Sequence, residues 1–409
     1  MRILHLYDEK HYPESNVPLN RGIYGVIFSL SRHFVERGHE VTVIIRRCVS
    51  GVDYVDGIKI VKFKSGNLIK NVYIELNRPW HARMVGCARI AVDSLLEWLR
   101  VQKFVKKNDF DIIHAHFPLT ACMLIYLDKE LRNKMVYTAH IGSETERFNL
   151  DGKAPFPLKV FSPDLYLIKQ VRKSIILNES LKYKLVGMGI EEERIEVIPN
   201  GINVEDFNIS RNGIERVRKK YGFEGVIVMF VGTVTPRKGV LHLIRAGEIL
   251  NLGKHALFLI IGNLDLDREY AQKVIEYARS RGVNVKFTGF VPYEDLKAIY
   301  AACDIFVLPS FEEGDPIALK EAMASGKPLI GSNVGGISMQ IRDGWNGYLV
   351  KPGNEKELAE RIKYLVDNEG ERERMGKNSR KLAEEEFDWA KIAKRHLEVY
   401  EKLKDINNY

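Results

Sequence analysis

Apolar and polar positions follow two alternating periods along most of the chain. Short runs of aliphatic and β-branched residues read as buried strands. Between them apolar residues recur three and four apart, as they do on helices with one buried face. Arg2–Tyr7 is the first such strand. Gly22–Arg37 then sets Ile23, Ile27, Leu30 and Phe34 on one helical face, and Gly38 stops it. Strands follow at Glu40–Arg46, Ile58–Phe63, Asp111–Ala115, Met135–Thr138, Ser174–Leu177 and Ile195–Ile198, and Trp80–Lys107 is largely helical, with Leu95, Leu96, Leu99 and Phe104 available for packing. At Pro199-Asn200-Gly201-Ile202-Asn203 the pattern breaks, and turn residues cluster as far as Gly213. A second series has strands at Val226–Val231, Ala256–Ile261, Val285–Thr288, Asp304–Leu308, Pro328–Ile330 and Gly347–Val350. Its helices fall at Gly239–Asn251, Asp267–Arg281, Tyr293–Ala302 and Pro316–Ser325, and three polar helices over 355–367, 371–386 and 388–404 close the chain.

Two successive βα series predict an α/β protein of two doubly wound, Rossmann-like domains. The expected boundaries are 1–199 and 213–387, with 200–212 as linker and the last helix, 388–409, packing back on the first domain through Trp389 and Tyr400. Ligands in such sheets sit beyond the carboxyl ends of the strands, so two such domains facing each other make a cleft.

Composition changes this picture little. With 45% hydrophobic and 28% charged residues, each domain can build a core without staples. Cys48, Cys87, Cys122 and Cys303 are far apart and form no CxxC, which argues against a structural zinc or a disulfide framework. No run is apolar enough for a secretory signal or a membrane span, so the expected location is cytoplasmic. The net charge of +8 is lopsided: residues 1–200 hold 30 Lys and Arg against 23 Asp and Glu, and residues 201–409 hold 32 against 31. The basic half suits an anionic membrane or a phosphate-bearing partner, or is simply a solvated surface.

Two common nucleotide motifs are absent. Neither domain has GxGxxG after its first strand, and Ser325-Gly326-Lys327-Pro328 lacks both the first glycine and the hydroxyl of a P-loop. Asp109-Phe110-Asp111 mimics a metal-binding DxD but leads straight into a buried strand, so it reads as a helix end and strand start. His114-Ala115-His116 puts two imidazoles on one strand face, and no third ligand lies near them in sequence, so no metal is expected.

The informative stretch is Pro309-Ser310-Phe311-Glu312-Glu313-Gly314-Asp315-Pro316, running on to Glu321 and Pro328. It follows a buried strand. Asp315 reads as an N-cap, Pro316 as the first helical residue and Gly326 as the stop. A helix N-terminus beyond a strand attracts anions, so a phosphate is a natural occupant, with Glu321 available to a ribose and Glu313 to a sugar hydroxyl. The plainer reading is that Glu313 favours the helix dipole and Glu321 is solvated.

This run resembles the ExxxxxxxE region of the family-4 glycosyltransferases, retaining enzymes of the GT-B fold. Other pieces resemble the same family in the same order: Gly22, Arg37-Gly38-His39-Glu40-Val41, Asp111–His116, Thr138-Ala139-His140, Pro199-Asn200-Gly201, Gly232–Gly239, Gly335-Gly336 and Asn346-Gly347. The resemblance implies that Lys238 binds the donor diphosphate, that Gly22 allows close approach of the N-terminal loop, and that His140 touches the transferred sugar. It implies that Glu313 holds the sugar, that Glu321 holds the ribose, and that the backbone near Gly289 and Val291 contacts the base. Lys238, Glu313 and His140 are thus the catalytic candidates; Gly22, Arg237, Gly289, Val291, Asp315 and Glu321 are the donor-binding ones.

Several positions depart from the family pattern. Thr233 stands where an arginine is common, Asp315-Pro316 replaces Phe-Gly, Met339 replaces a glutamate and Asn203 an aspartate. Arg237 either compensates for Thr233 or points to solvent. The implied reaction is metal-independent transfer with retention from a nucleoside diphosphate sugar, UDP- or GDP-linked, to an acceptor hydroxyl. That sugar nucleotide is a substrate, and no cofactor is expected. The implied acceptor is a sugar, lipid-linked or small, and no nucleic acid partner is expected. Arg78, Trp80, Arg83, Arg89, Lys103, Lys106 and Lys107 form a basic stretch that suits peripheral contact with the inner face of a membrane. The competing readings are a nucleotide-sugar epimerase or hydrolase on the same fold, and a non-catalytic binder.

Overall fold

A computed structural model describes residues 1–7, 22–47, 50–64, 95, 98–140 and 162–407. The chain divides into two compact units. One comprises Met1–Leu177, Leu181–Ile198 and the chain from Ala393 on; the other comprises Asn178–Ser180 and Pro199–Ile392.

The first unit is built on β1 (Arg2–Tyr7), β2 (Glu40–Arg47), β3 (Gly51–Val55), β4 (Ile58–Lys64), β5 (Ile112–Ala115), β6 (Met135–Thr138), β7 (Lys173–Ile176) and β8 (Ile195–Val197). They form one sheet in the order β3-β4-β2-β1-β5-β6-β7-β8. Every pairing is parallel except β3 with β4. The central strands are apolar because they are covered on both faces: every residue of β5 and β6 is buried. β3 did not show in the hydrophobic pattern. It is a solvent-facing edge strand, and its large apolar residues Val52 and Tyr54 are exposed.

The second unit carries β9 (Val226–Val231), β10 (Ala256–Ile261), β11 (Val285–Gly289), β12 (Ile305–Leu308), β13 (Leu329–Ser332) and β14 (Gly347–Val350). Their order is β11-β10-β9-β12-β13-β14, all parallel. Counted from β9, this is the 3-2-1-4-5-6 arrangement of a dinucleotide-type doubly wound sheet. Its core joins β-strand residues such as Phe230, Ile260 and Phe306 to Leu243, Tyr300, Leu319 and Ile362 of the covering helices.

Several elements differ from the sequence reading. Residues 200–212, expected as a linker, are packed in the second unit: Ile202, Val204 and Phe207 are buried in its core. Gly213 lies in the first turn of the helix Arg211–Tyr221, where its amide donates to the capping Ser210 hydroxyl at 3.3 Å. Helices at Pro118–Leu127, Pro163–Gln170 and Glu179–Gly187 were not marked by any clear periodicity. The helix expected over 371–386 runs Glu369–Leu382 and ends in a π turn, Ala383–Phe387. Of the Trp80–Lys107 stretch, only residues 95 and 98–107 are described, and those are helical; Arg78, Trp80, Arg83, Arg89 and Leu96 lie outside the described residues.

The last helix, Trp389–Asn407, passes from the second unit's residues to the first unit's at Ala393. Within the first unit Arg395 donates to the Val197 carbonyl at 2.5 Å and Lys404 pairs with Asp111 at 3.2 Å. Tyr400 is fully buried, edge-on to Phe34. Among the described residues, no helix is long and apolar enough to cross a membrane.

Candidate functional site

In the second sheet β9 and β12 are neighbours, and from them the chain winds off toward opposite edges. A crevice therefore opens between the loops that leave their carboxyl ends. The loop after β9 runs from Gly232 to a short 3-10 turn, Pro236–Lys238; the loop after β12 runs from Pro309 to the helix Ile317–Ala324. Backbone contacts stitch the two together. The Phe311 amide donates to the Arg237 carbonyl at 2.8 Å. Gly239 has φ +68°, and a Cβ there would collide with the Pro309 carbonyl oxygen, so only glycine lets the loops cross this closely.

That crossing gathers the charged candidates. Lys238 Nζ lies 2.5 Å from Glu313 Oε1, and the Ser310 hydroxyl donates to the same oxygen at 2.7 Å. Arg237 does not point away: its Nη1 donates to the Glu312 carbonyl at 2.6 Å and sits 3.6 Å from Glu313 Oε2. Glu313 is only 6% exposed, yet a buried carboxylate is tolerable here because two cations and a hydroxyl face it. On its far side the Gly336 amide donates to the Glu313 carbonyl at 2.9 Å. A Cβ on Gly335 would strike that same carbonyl, which explains the Gly335-Gly336 pair.

Asp315 behaves differently from expectation. The helix begins at Ile317 behind Pro316, with no side-chain cap. The Asp315 carboxylate instead faces inward, where it pairs with the fully buried Lys320 ammonium. It also accepts from Gln340 Nε2 at 2.7 Å and from the Asn200 amide at 2.6 Å. Both oxygens are engaged by the protein, so the carboxylate ties Pro199-Asn200-Gly201 to the loop after β12. Burial pushes the Lys320 ammonium down from its ordinary value, and Asp315 opposes that shift.

Glu321 stands on the same short helix beside Tyr300, whose hydroxyl is pushed well up by burial and then by the Glu321 charge. Gly289 ends β11 in a left-handed conformation, φ +65°, and accepts from the Gly262 amide at 3.0 Å; Val291, just beyond, is buried. The second unit thus brings Lys238, Arg237 and Glu313 together. Ser310, which the sequence reading passed over, joins them.

In the first sheet β1 and β5 are the corresponding neighbours. Their register sets His5 opposite His114, and the two-residue period of β5 puts His116 on the same face. All three imidazoles are buried. His5 Nδ1 lies 2.8 Å from His116 Nε2, and His116 Nδ1 lies 2.8 Å from His140 Nε2. His114 bonds Tyr400 at 2.6 Å through Nδ1 and Thr138 at 2.8 Å through Nε2. Burial, reinforced by the neighbouring imidazoles, holds all three well below the ordinary histidine value; His5 falls to about 3. They are neutral at pH 7.

The third imidazole that the sequence reading did not find is therefore His5. Ring nitrogens of His5, His114 and His116 lie within 4.8 Å of one another, a grouping that could hold a metal ion. Both nitrogens of His114 and of His116 are already committed to hydrogen bonds, so as placed the set is a hydrogen-bonded cluster. The Asp109/Asp111 pair has structural partners. Asp111 accepts from the Arg2 amide at 2.7 Å, and Asp109 pairs with Lys134 at 3.0 Å. Gly22 opens the helix Gly22–Glu36.

Comparison with known proteins agrees with this architecture. An uncharacterized glycosyltransferase of Methanocaldococcus jannaschii is 29% identical over 91% of this chain and 92% of its own length. A D-inositol 3-phosphate glycosyltransferase of Nocardia farcinica is 29% identical over 71% of this chain and 66% of its own. The crystal structure of HepE of Anabaena in complex with UDP and glucose superposes with a TM-score of 0.73 at 20% identity, covering 98% of this chain and 99% of that one. The model of the family "Glycosyltransferase Family 4" matches residues 21–206, and that of "Glycosyl transferases group 1" matches residues 213–382. Matched in order along nearly its whole length, the chain belongs to the GT-B glycosyltransferases that resemble family 4.

Proposed function

We propose that this enzyme transfers a sugar from a nucleoside diphosphate sugar to an acceptor hydroxyl with retention, without a metal. The observation that carries the reading is the cluster of Lys238, Arg237 and the buried Glu313 at the crevice between β9 and β12. In the free enzyme the two cations neutralise Glu313. When donor binds, Lys238 and Arg237 turn to the diphosphate, and Glu313 accepts from a sugar hydroxyl. Arg237 thereby supplies the cation missing at Thr233. Glu321 takes the ribose diol, and the backbone at Gly289 and Val291 takes the base. Gly22 and His140, which the family resemblance assigns to the sugar, lie in the first unit.

The acceptor oxygen forms its bond to the anomeric carbon on the face from which the diphosphate departs. The hydroxyl proton passes to the departing phosphate oxygen. The leaving group gains charge as the bond breaks, and fixed cations stabilise that charge more in the transition state than in the ground state. No protein nucleophile takes part. Asp315 is removed from the donor set, because its oxygens are held by Lys320, Gln340 and Asn200.

For the donor we favour UDP over GDP, on the likeness to a structure that holds UDP and glucose. For the acceptor we propose a sugar or polyol, small or lipid-linked; one relative is named for D-inositol 3-phosphate. The excess positive charge of residues 1–200 supports peripheral contact with an anionic membrane. A thermal-shift panel of UDP-, GDP- and ADP-sugars tests the donor. A true donor at 100 times its dissociation constant adds about 2.7 kcal/mol, and Lys238→Ala should abolish that gain. Equal shifts in wild type and variant would refute the site. The anomeric configuration of the product, read by NMR, tests retention.

A further inference from the structure

The loop after β12 carries Glu313 and has no helix or strand of its own to satisfy its backbone. Its carbonyls are taken one by one by donors from other segments of the second unit. The Glu312 carbonyl accepts from Arg237 Nη1 at 2.6 Å, and the Glu313 carbonyl from the Gly336 amide at 2.9 Å. The Gly314 carbonyl accepts from Asn178 Nδ2 at 2.9 Å. One residue on, the Asp315 carboxylate accepts from the Asn200 amide at 2.6 Å. Buried backbone has to find such partners, and here they also fix the path of the loop.

Of these four donors, Gly336 and Asn200 act through the main chain, whereas Arg237 and Asn178 act through side chains. The two side chains are not equivalent. Arg237 is partly exposed, and in the transfer proposed above it turns to the diphosphate. Asn178 is fully buried and carries no charge for a diphosphate to draw away. Its bond to Gly314 therefore persists when Arg237 releases Glu312. The partner also settles the amide orientation: a carbonyl only accepts, so the NH2 of Asn178 faces Gly314.

The Gly314 carbonyl is closely held. A Cβ on Gly336 would collide with its oxygen. Asn178 follows β7 by two residues in sequence, just before the helix Glu179–Gly187. Asn178–Ser180 belong to the second unit, although Leu177 and Leu181 on either side belong to the first. A second contact anchors this segment: the Glu179 amide donates to Met339 Sδ at 3.3 Å. Met339 is one of the positions that depart from the family pattern.

We propose that Asn178 is a positioning residue for the transfer. By holding the Gly314 carbonyl it keeps the Glu313 carboxylate at the sugar while the diphosphate engages Lys238 and Arg237. Asn178 acts through the loop backbone, and its effect on catalysis rests on the reading of Glu313 as the residue that holds the sugar.

The test uses the full-length enzyme with Asn178→Ala and Asn178→Leu. Leucine is close to asparagine in volume but has no donor, so the pair separates a lost hydrogen bond from lost packing. Hydrogen exchange is followed with UDP bound, alongside calorimetric affinity for UDP and kcat for turnover of UDP-glucose. Both variants should speed exchange of the Gly336 and Asn200 amides roughly three- to tenfold, because the loop they bond is released. Affinity for UDP should stay within about threefold of wild type, because UDP lacks the sugar that Glu313 holds. A misplaced carboxylate should lower kcat roughly 10–100-fold. Glu313→Gln, measured in parallel, should lower kcat at least as far. Unchanged exchange, or UDP affinity lost in step with kcat, would overturn the proposal. So would a normal kcat in Asn178→Leu when Glu313→Gln is impaired. If Glu313→Gln itself turns over normally, the reading of Glu313 fails, and the exchange rates alone decide whether Asn178 holds the loop.

Discussion

The buried histidines make the first unit sensitive to mild acid, and the size of the effect follows from their burial. His5, His114 and His116 have an ordinary value of 6.5 and lie well below it when folded, His5 at about 3. As pH falls below 6.5, the unfolded chain takes up protons that the folded unit refuses. Stability is therefore complete above that point and declines toward acid. Each such group costs about 1.4 kcal/mol per pH unit in this window. Between pH 7.5 and 5.5 His5 alone costs about 1.4 kcal/mol, and His114 and His116 add to the loss in the same direction. Carboxylates contribute little there, because their values lie lower. For a unit of this size 1 kcal/mol moves the midpoint roughly 2–4 °C, so scanning calorimetry should record a fall of at least about 3 °C in the first unit's transition. His5→Phe keeps the stacking on Phe34 and removes one titrating group, so it should flatten the profile. A midpoint that moves less than about 2 °C across this range would mean that the imidazoles are protonated in the native state, and the argument from burial would fail.

Other consequences can be checked independently. Asp315→Ala strands the Lys320 ammonium and should cost about 3–5 kcal/mol in urea titration; the pair Asp315→Leu with Lys320→Met should recover much of that loss, because it removes both buried charges. Lys238→Ala should lower kcat/KM roughly 10²–10³-fold in steady-state assays, and the unliganded melting temperature should also fall, because Glu313 loses its nearest cation. Gly239→Ala forces a left-handed residue against the Pro309 carbonyl and should cost roughly 1–3 kcal/mol, with a reduced melting shift on donor addition.

Much of this was legible from residues alone. The strand–helix periodicity located β1, β6, β9, β10 and β14 to the residue, because these strands are covered on both faces and their apolar runs have sharp ends. It missed β3, whose side chains face solvent, and it read 200–212 as linker, because turn-forming residues do not reveal that Ile202, Val204 and Phe207 between them are core. The motif around Glu313 signalled chemistry because a glutamate, a glycine and a helix start cluster after a buried strand.

Tertiary structure alone decided which groups share a charge. Lys238 and Glu313 are 75 residues apart in sequence and meet because β9 and β12 are neighbours in the sheet. Asp315 looked like an N-cap, a local role, but the buried Lys320 and the Asn200 amide hold it more strongly. His5 and His116 are 111 residues apart, and only the β1–β5 register joins them. Sequence fixes local periodicity because neighbouring residues share one backbone geometry. It cannot fix the partner of a buried polar atom, which depends on which strands lie side by side and on the cost of leaving that atom unpaired in a dry core.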